Sequence, residues 1–307
     1  MTAFPLFHRQ ALIQLGRKAN TVMDKMFYDV TALSSEEKSR LSAWTQPEGS
    51  VVTVYPKHHE RGIETLTPLA FITERKKKNA VPIDTLVVAG IGSSALGTAA
   101  LARNVADVLN RPVAGIVSGM GVADLISEAL GGWFVLGVKN TIRDGFAKWF
   151  DFLDMKDHVW EDTSYQTLVK DDKLDQFDFD QFVFGSPDAT ALLLILYHLR
   201  TKIKCLVGHS KGNYIIENAL EGLAGLCRVK KQKLPKTIKV VTLGTVVRFP
   251  DQFEHIEQFI GQLDVFGMLN SRAYLDSHWV DGAWHTLNTA IPGNLAVAKA
   301  LKSAGAA

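Results

Sequence analysis

The sequence predicts an α/β protein with a mostly parallel central sheet and helices on both faces. Three observations carry that expectation. Short, continuous apolar runs such as DTLVVAG (84–90) and CLV (205–207) have the pattern of strands covered on both sides. Segments of helical spacing lie between such runs, and glycine-rich turns lead from strand into helix. With 307 residues, 47% of them hydrophobic, the chain can bury a large core, and no evident linker divides it. One domain over 1–307 is expected.

The elements follow in order. Residues 5–27 are helical in pattern, and in SSEEKSRLSAW Ser34 stands three residues before Glu37, a capping box that starts a second helix. Together they suggest a helical extension over 1–48. SVVTVYP (50–56) and PLAFIT (68–73) read as strands, DTLVVAG as a buried one. GIGSSALG then opens the helix TAALARNVADVLN (98–110), and PVAGIVSG (112–119) is the next strand. Residues 119–185 show no clear strand but hold Trp133, Trp149, Phe150 and Trp160, which marks a candidate cap or lid. DATALLLILYHLRTK (188–202) is a buried helix, TIKVVTLGTVV (237–247) a buried strand, and HIEQFIGQLD (255–264) a further strand.

The charge balance narrows the partners. Lys and Arg number 34 against 32 Asp and Glu, a formal charge of +2, so nucleic acid is not expected. The runs ERKKKN (74–79) and RVKKQKLPK (228–236) read as solvated loops. His8, Arg9 and Gln10 interrupt the apolar N-terminus, unlike a secretory signal, and no stretch is long and apolar enough to span a bilayer. Cys205 and Cys227 make neither a disulfide framework nor a metal-ligand spacing, so they read as core thiols of a cytoplasmic protein.

GHSKG (208–212) concentrates the chemistry. A serine at the apex of a sharp strand-to-helix turn sits in strained backbone, so Gly208 and Gly212 beside it carry no bulky side chain. The hydroxyl of Ser210 then stands clear as a candidate nucleophile, and the N–H of Lys211 lies at a helix N-terminus facing an oxyanion. AGIGSSALG offers a competitor, because Gly90, Gly92 and Ala95 fit a dinucleotide fingerprint after a strand. That fingerprint needs a carboxylate at the end of the next strand. Ser118 and Gly119 stand there instead, so no nucleotide cofactor is expected, and the loop is read as supplying a second oxyanion donor from Ile91. Asp264 ends a strand, with Asp251 as its rival for the acid. His285 lies in a loop before the last helix, with His278 and then His255 as rivals. His58 and His59 are adjacent, point apart on an extended chain, and make no metal pair.

The order Ser210, Asp264, His285 over about residues 50–300, with GHSKG as the specific element, resembles the α/β-hydrolase superfamily in its lipase and esterase branch. One departure is Ala89 in AGIGSS, where the common loop has His before Gly. The resemblance implies a serine hydrolase of carboxylic esters acting on a small ester or acyl substrate. A thioesterase or acyltransferase uses the same triad, and a non-catalytic binding protein can occupy the same fold.

Overall fold

The α/β expectation holds in the computed structural model, which describes residues 22–41, 48–90, 93–118, 187–229, 231–272 and 274–307. The candidate cap at 119–185 with its aromatic residues, and Ile91, lie outside the described residues. The strands are β1 (Val51–Val54), β2 (Glu64–Leu66), β3 (Thr85–Val88), β4 (Val113–Ile116), β5 (Cys205–His209), β6 (Lys239–Leu243), β7 (Ile256–Gly261) and β8 (His278–Val280). They form one sheet in the order β2-β1-β4-β3-β5-β6-β7-β8. Strand β1 runs antiparallel to both β2 and β4, and every pairing from β4 to β8 is parallel.

Alternation along the strands explains the two-sided cover. Leu86 and Val88 of β3 join one apolar cluster with Leu206 and Val240, while Val87, Val207 and Val241 join the other. The first cluster is closed by α2 (Pro68–Lys76), α4 (Pro187–Leu199) and α5 (Lys211–Val229). The second is closed by α3 (Ala95–Leu109) and α7 (Val297–Ser303). In α4 every residue from Asp188 to Tyr197 is buried, as the apolar run ALLLILY (191–197) requires. Cys205 and Cys227 are buried free thiols, and burial pushes the Cys205 thiol up to about 11.

Two expectations are corrected. PLAFIT belongs to helix α2, not to a strand: Thr67 Oγ1 accepts from Ala70 N at 3.2 Å and Pro68 stands in the first turn. Its buried residues Pro68, Phe71, Ile72 and Arg75 follow helical spacing, which six apolar letters were too few to reveal. The same helix takes in Glu74, Arg75 and Lys76, so that basic run is not wholly a solvated loop: Arg75 is buried and donates to the Val81 carbonyl at 2.7 Å. Strands β2 and β8, each of three residues, escape a periodicity reading altogether.

The capping box forms as expected. Helix α1 (Ser35–Arg40) starts with Ser34 Oγ accepting from Glu37 N at 3.1 Å while Glu37 Oε2 accepts from Ser34 N at 2.8 Å. The other oxygen of Glu37 accepts from Arg103 of α3 in an ion pair with both side chains nearly buried. Glu37→Ala removes the side-chain half of the capping box and leaves Arg103 uncompensated, so we expect a loss of about 3–5 kcal/mol. Urea denaturation of wild type and variant measures it, and a loss below about 1 kcal/mol contradicts the assignment.

Candidate functional site

The strand order reverses around β3: chain connections run from β3 to β4 on one side, then back to β5 on the other. In open α/β sheets, such a reversal leaves a crevice at the carboxyl ends of the strands. Ser210 follows β5 directly and precedes α5, which begins at Lys211. Its φ is +54°, left-handed backbone that a residue with a side chain adopts only under constraint. Close packing supplies the constraint. A Cβ at Gly212 would lie 2.2 Å from the Val88 carbonyl oxygen, and one at Gly208 2.3 Å from Asn213 Oδ1, so helix α5 starts hard against the end of β3. Ser210 N donates to the Leu243 carbonyl at 2.9 Å, and Asn213 Nδ2 donates to the Leu243 and Thr245 carbonyls at 3.1 and 2.8 Å. The turn is therefore fastened to β6.

Asp264 caps α6 (Val265–Leu269) and is buried. Its Oδ1 accepts from Gly267 N at 2.6 Å, and its Oδ2 lies 2.7 Å from His285 Nδ1. That bond fixes the proton on Nδ1 and leaves Nε2 as the nitrogen for proton transfer. The His285 ring packs over Gly244, where a Cβ would lie 3.0 Å from the ring, and Gly244 directly follows Leu243, which holds Ser210. The three sequence-predicted residues thus gather at neighbouring strand ends. Among the described residues no hydrogen bond joins Ser210 Oγ to His285. Lys211 occupies the first turn of α5 beside Ser210, as expected.

The rivals lie elsewhere. Asp251 is exposed and 3.9 Å from Arg248. His278 starts edge strand β8, three strands away from β5, where its Nε2 lies 2.6 Å from Glu257 Oε2. His255 precedes β7, at the end of the sheet opposite the crevice, and its carbonyl accepts from Val240 N. His59 stacks on Tyr55 at 4.7 Å. Ser118 Oγ donates to the Gly90 carbonyl at 3.0 Å, so the end of β4 braces the glycine loop. Among the described residues, no group of three His, Cys, Asp or Glu side chains is placed to hold a metal ion, and no helix is long and apolar enough to cross a membrane.

Sequence reasoning missed what surrounds these groups. Residues 22–27 are helical, and Asp24 and Tyr28, four apart, both reach the site. Asp24 accepts from Ser93 Oγ at 3.0 Å and from Ser94 Oγ at 2.5 Å, holding the loop that leads into α3. Tyr28 Oη accepts from Gly90 N at 2.6 Å and lies 2.8 Å from His209 Nδ1. The carbonyls of Met26 and Phe27 accept from Thr286 Oγ1 and Leu287 N at 2.7 and 2.9 Å, directly after His285. No motif marks these residues; the one signal is the i, i+4 pairing of Asp24 and Tyr28 within MDKMFYD.

Burial pushes the Asp24 carboxyl from 3.8 up to about 7, against the pull of the Ser93 and Ser94 donors. The folded chain then keeps a proton that the unfolded chain releases near pH 4. Stability contributed by that proton is present below about pH 4 and lost as the pH rises through 7. We expect the wild type to lose thermal stability relative to Asp24→Asn across this window. Parallel melting curves against pH for the two proteins refute the assignment.

No family model matches the chain, nor does any curated protein or solved structure, so the chemistry of the site rests on its own geometry.

Proposed function

We propose that the chain is a serine hydrolase of the α/β-hydrolase type that cleaves carboxylic esters through an acyl-enzyme on Ser210. The observation that carries this reading is the Asp264–His285 bond of 2.7 Å beside a serine held at φ +54° between strand and helix. The order of parts supports it too: Ser210 after β5, Asp264 after β7, His285 after β8.

In the mechanism, Ser210 Oγ attacks the ester carbonyl carbon as its proton passes to His285 Nε2. Asp264 accepts from Nδ1–H throughout and stabilises the imidazolium. The tetrahedral oxyanion takes a hydrogen bond from Lys211 N–H at the positive end of α5, with Ile91 N–H as the second donor by the sequence assignment. Collapse breaks the C–O bond, and His285 returns the proton to the leaving alcohol. Water, activated by the same imidazole, then releases the acid and restores Ser210. Catalytic hydrogen bonds are often long in the empty enzyme and tighten when substrate is bound, so Ser210 closes on His285 in the complex.

Fluorophosphonate reacts only with an activated serine, and mass spectrometry locates the adduct. We expect full labelling at Ser210, none in Ser210→Ala, and loss of p-nitrophenyl ester turnover in the same variant. Asp264→Asn should lower kcat by about three to four orders of magnitude, whereas Asp251→Asn should leave it unchanged. Wild-type hydrolysis by Ser210→Ala sinks the reading, and the reverse ranking of the two aspartates moves the acid.

The substrate is proposed to carry a medium acyl chain. Val265, Phe266 and Leu269 are exposed on α6 directly after Asp264, and the Phe266 ring lies 6.3 Å from that of His285. Each methylene buried there contributes about 0.8 kcal/mol, so two carbons raise kcat/KM by roughly tenfold until the surface is covered. A series of esters from about two to twelve acyl carbons tests this. The rise should flatten in Phe266→Ala; a maximum at acetate, unchanged in that variant, overturns the acyl preference and leaves the triad untouched.

A further inference from the structure

His209 is the second letter of GHSKG, one residue before the candidate nucleophile, and the hydrolase mechanism gives its ring no part. The ring is nonetheless fully committed. Its Nδ1 lies 2.8 Å from Tyr28 Oη and its Nε2 2.9 Å from the carbonyl oxygen of His285. Both His209 and Tyr28 are buried, and their rings meet edge to face at 5.4 Å. The proton positions follow by elimination. Tyr28 Oη already accepts from Gly90 N–H, and burial keeps the phenol protonated, so its own proton goes to His209 Nδ1. With Nδ1 an acceptor, the ring carries its proton on Nε2 and donates it to the His285 carbonyl. Burial, with the neighbouring His285, holds the His209 imidazole well below its usual titration range, which keeps this single neutral tautomer in place.

One hydroxyl therefore reaches three strand ends: the loop after β3 at Gly90, the end of β5 at His209 and, through the imidazole, the loop after β8 at His285. The same loop is held from below by Phe27, whose carbonyl accepts from Leu287 N and whose ring stands edge-on to the His285 ring at 5.7 Å. We propose that Tyr28 and His209 are positioning residues, a tyrosine–histidine relay that fixes the backbone of His285 so that its ring meets Asp264 on one side and Ser210 on the other. The relay deepens the serine-hydrolase reading and its kinetic consequences rest on it, whereas its effect on the His285 ring does not. An error of about 1 Å in a reacting group can cost roughly a hundredfold in rate, so cutting the relay acts on kcat rather than on substrate binding.

The test uses the full chain as wild type, Tyr28→Phe, His209→Leu and His209→Gln. The Gln side chain retains an N–H able to reach the His285 carbonyl and an oxygen able to accept from Tyr28; Leu retains neither. Ring-nitrogen NMR on ¹⁵N-histidine protein should show His209 as the neutral Nε2–H tautomer in wild type. In Tyr28→Phe the His209 Nδ1 resonance should shift with the loss of its donor, while the proton stays on Nε2 opposite the His285 carbonyl, and the His285 ring resonances should be displaced. With p-nitrophenyl ester, Tyr28→Phe and His209→Leu should lose about tenfold to a hundredfold in kcat with KM within about twofold, while His209→Gln stays near wild type. Unchanged His285 resonances and unchanged kcat in Tyr28→Phe overturn the relay, as does an equal kcat for the Gln and Leu variants. A loss confined to KM also overturns it. If wild type neither turns over ester nor takes up fluorophosphonate, the hydrolase reading fails and the NMR arm alone decides the relay. Should Tyr28→Phe not fold, the comparison of His209→Gln with His209→Leu decides.

Discussion

The left-handed backbone of Ser210 is the constraint from which the rest of the central structure follows. A non-glycine residue held there costs about 1–3 kcal/mol, and it persists only where its surroundings leave no alternative. Here the carbonyls of Val88 and Ala89 close off the space beside Gly212, so α5 can leave β5 along one path only. That path needs β3 and β5 to be parallel neighbours in the register Val88 to Gly208. It also needs β6 on the far side, where Leu243 and Thr245 accept from Ser210 and Asn213. Three strands are thereby locked together by one turn, and the two apolar clusters fill the space above and below them.

Much of this was legible in the letters. GHSKG stated its own geometry because only glycine fits beside so tight a turn, and continuous apolar runs such as TLVV announced strands covered on both faces. Asp264 could be placed at a strand end and His285 in the loop before the last helix, and their mutual bond is where those two expectations meet. PLAFIT misled because a helix of nine residues shows only about two and a half turns of pattern, and its real signal was the threonine before it and the proline in its first turn. Tyr28 and Asp24 left only their spacing of four as a trace. A buried hydroxyl or carboxyl finds its partners through the fold, and those of Tyr28 lie 62 and 181 residues away.

The segment around residues 24–29 illustrates a general rule of buried polar groups. Each must find a partner, and a network with every member satisfied specifies one arrangement where apolar contacts alone would tolerate several. Asp24 meets Ser93 and Ser94, and Tyr28 meets Gly90 and His209. Asp29 meets Thr31 and Thr289. What reads in sequence as a helical extension is in the fold a wall of the crevice.

That wall has a consequence for how the molecule comes into being. Thr286 bonds to Met26 and Thr289 to Asp29 across 260 residues of chain, and Asn288 to Lys25 across 263. Contacts of such separation close late, because the entropy of joining distant segments is spent before they return anything. During synthesis Met26, Lys25 and Asp29 wait for residues 286–289 to leave the ribosome, whereas the partners of Asp24 and Tyr28, the last of them His209, emerge earlier. The sheet around β3 and β5 can assemble first, with its serine already in the strained turn. The arrangement of Ser210, Asp264 and His285 is therefore fully held only once residues 25–29 and 286–289 have met.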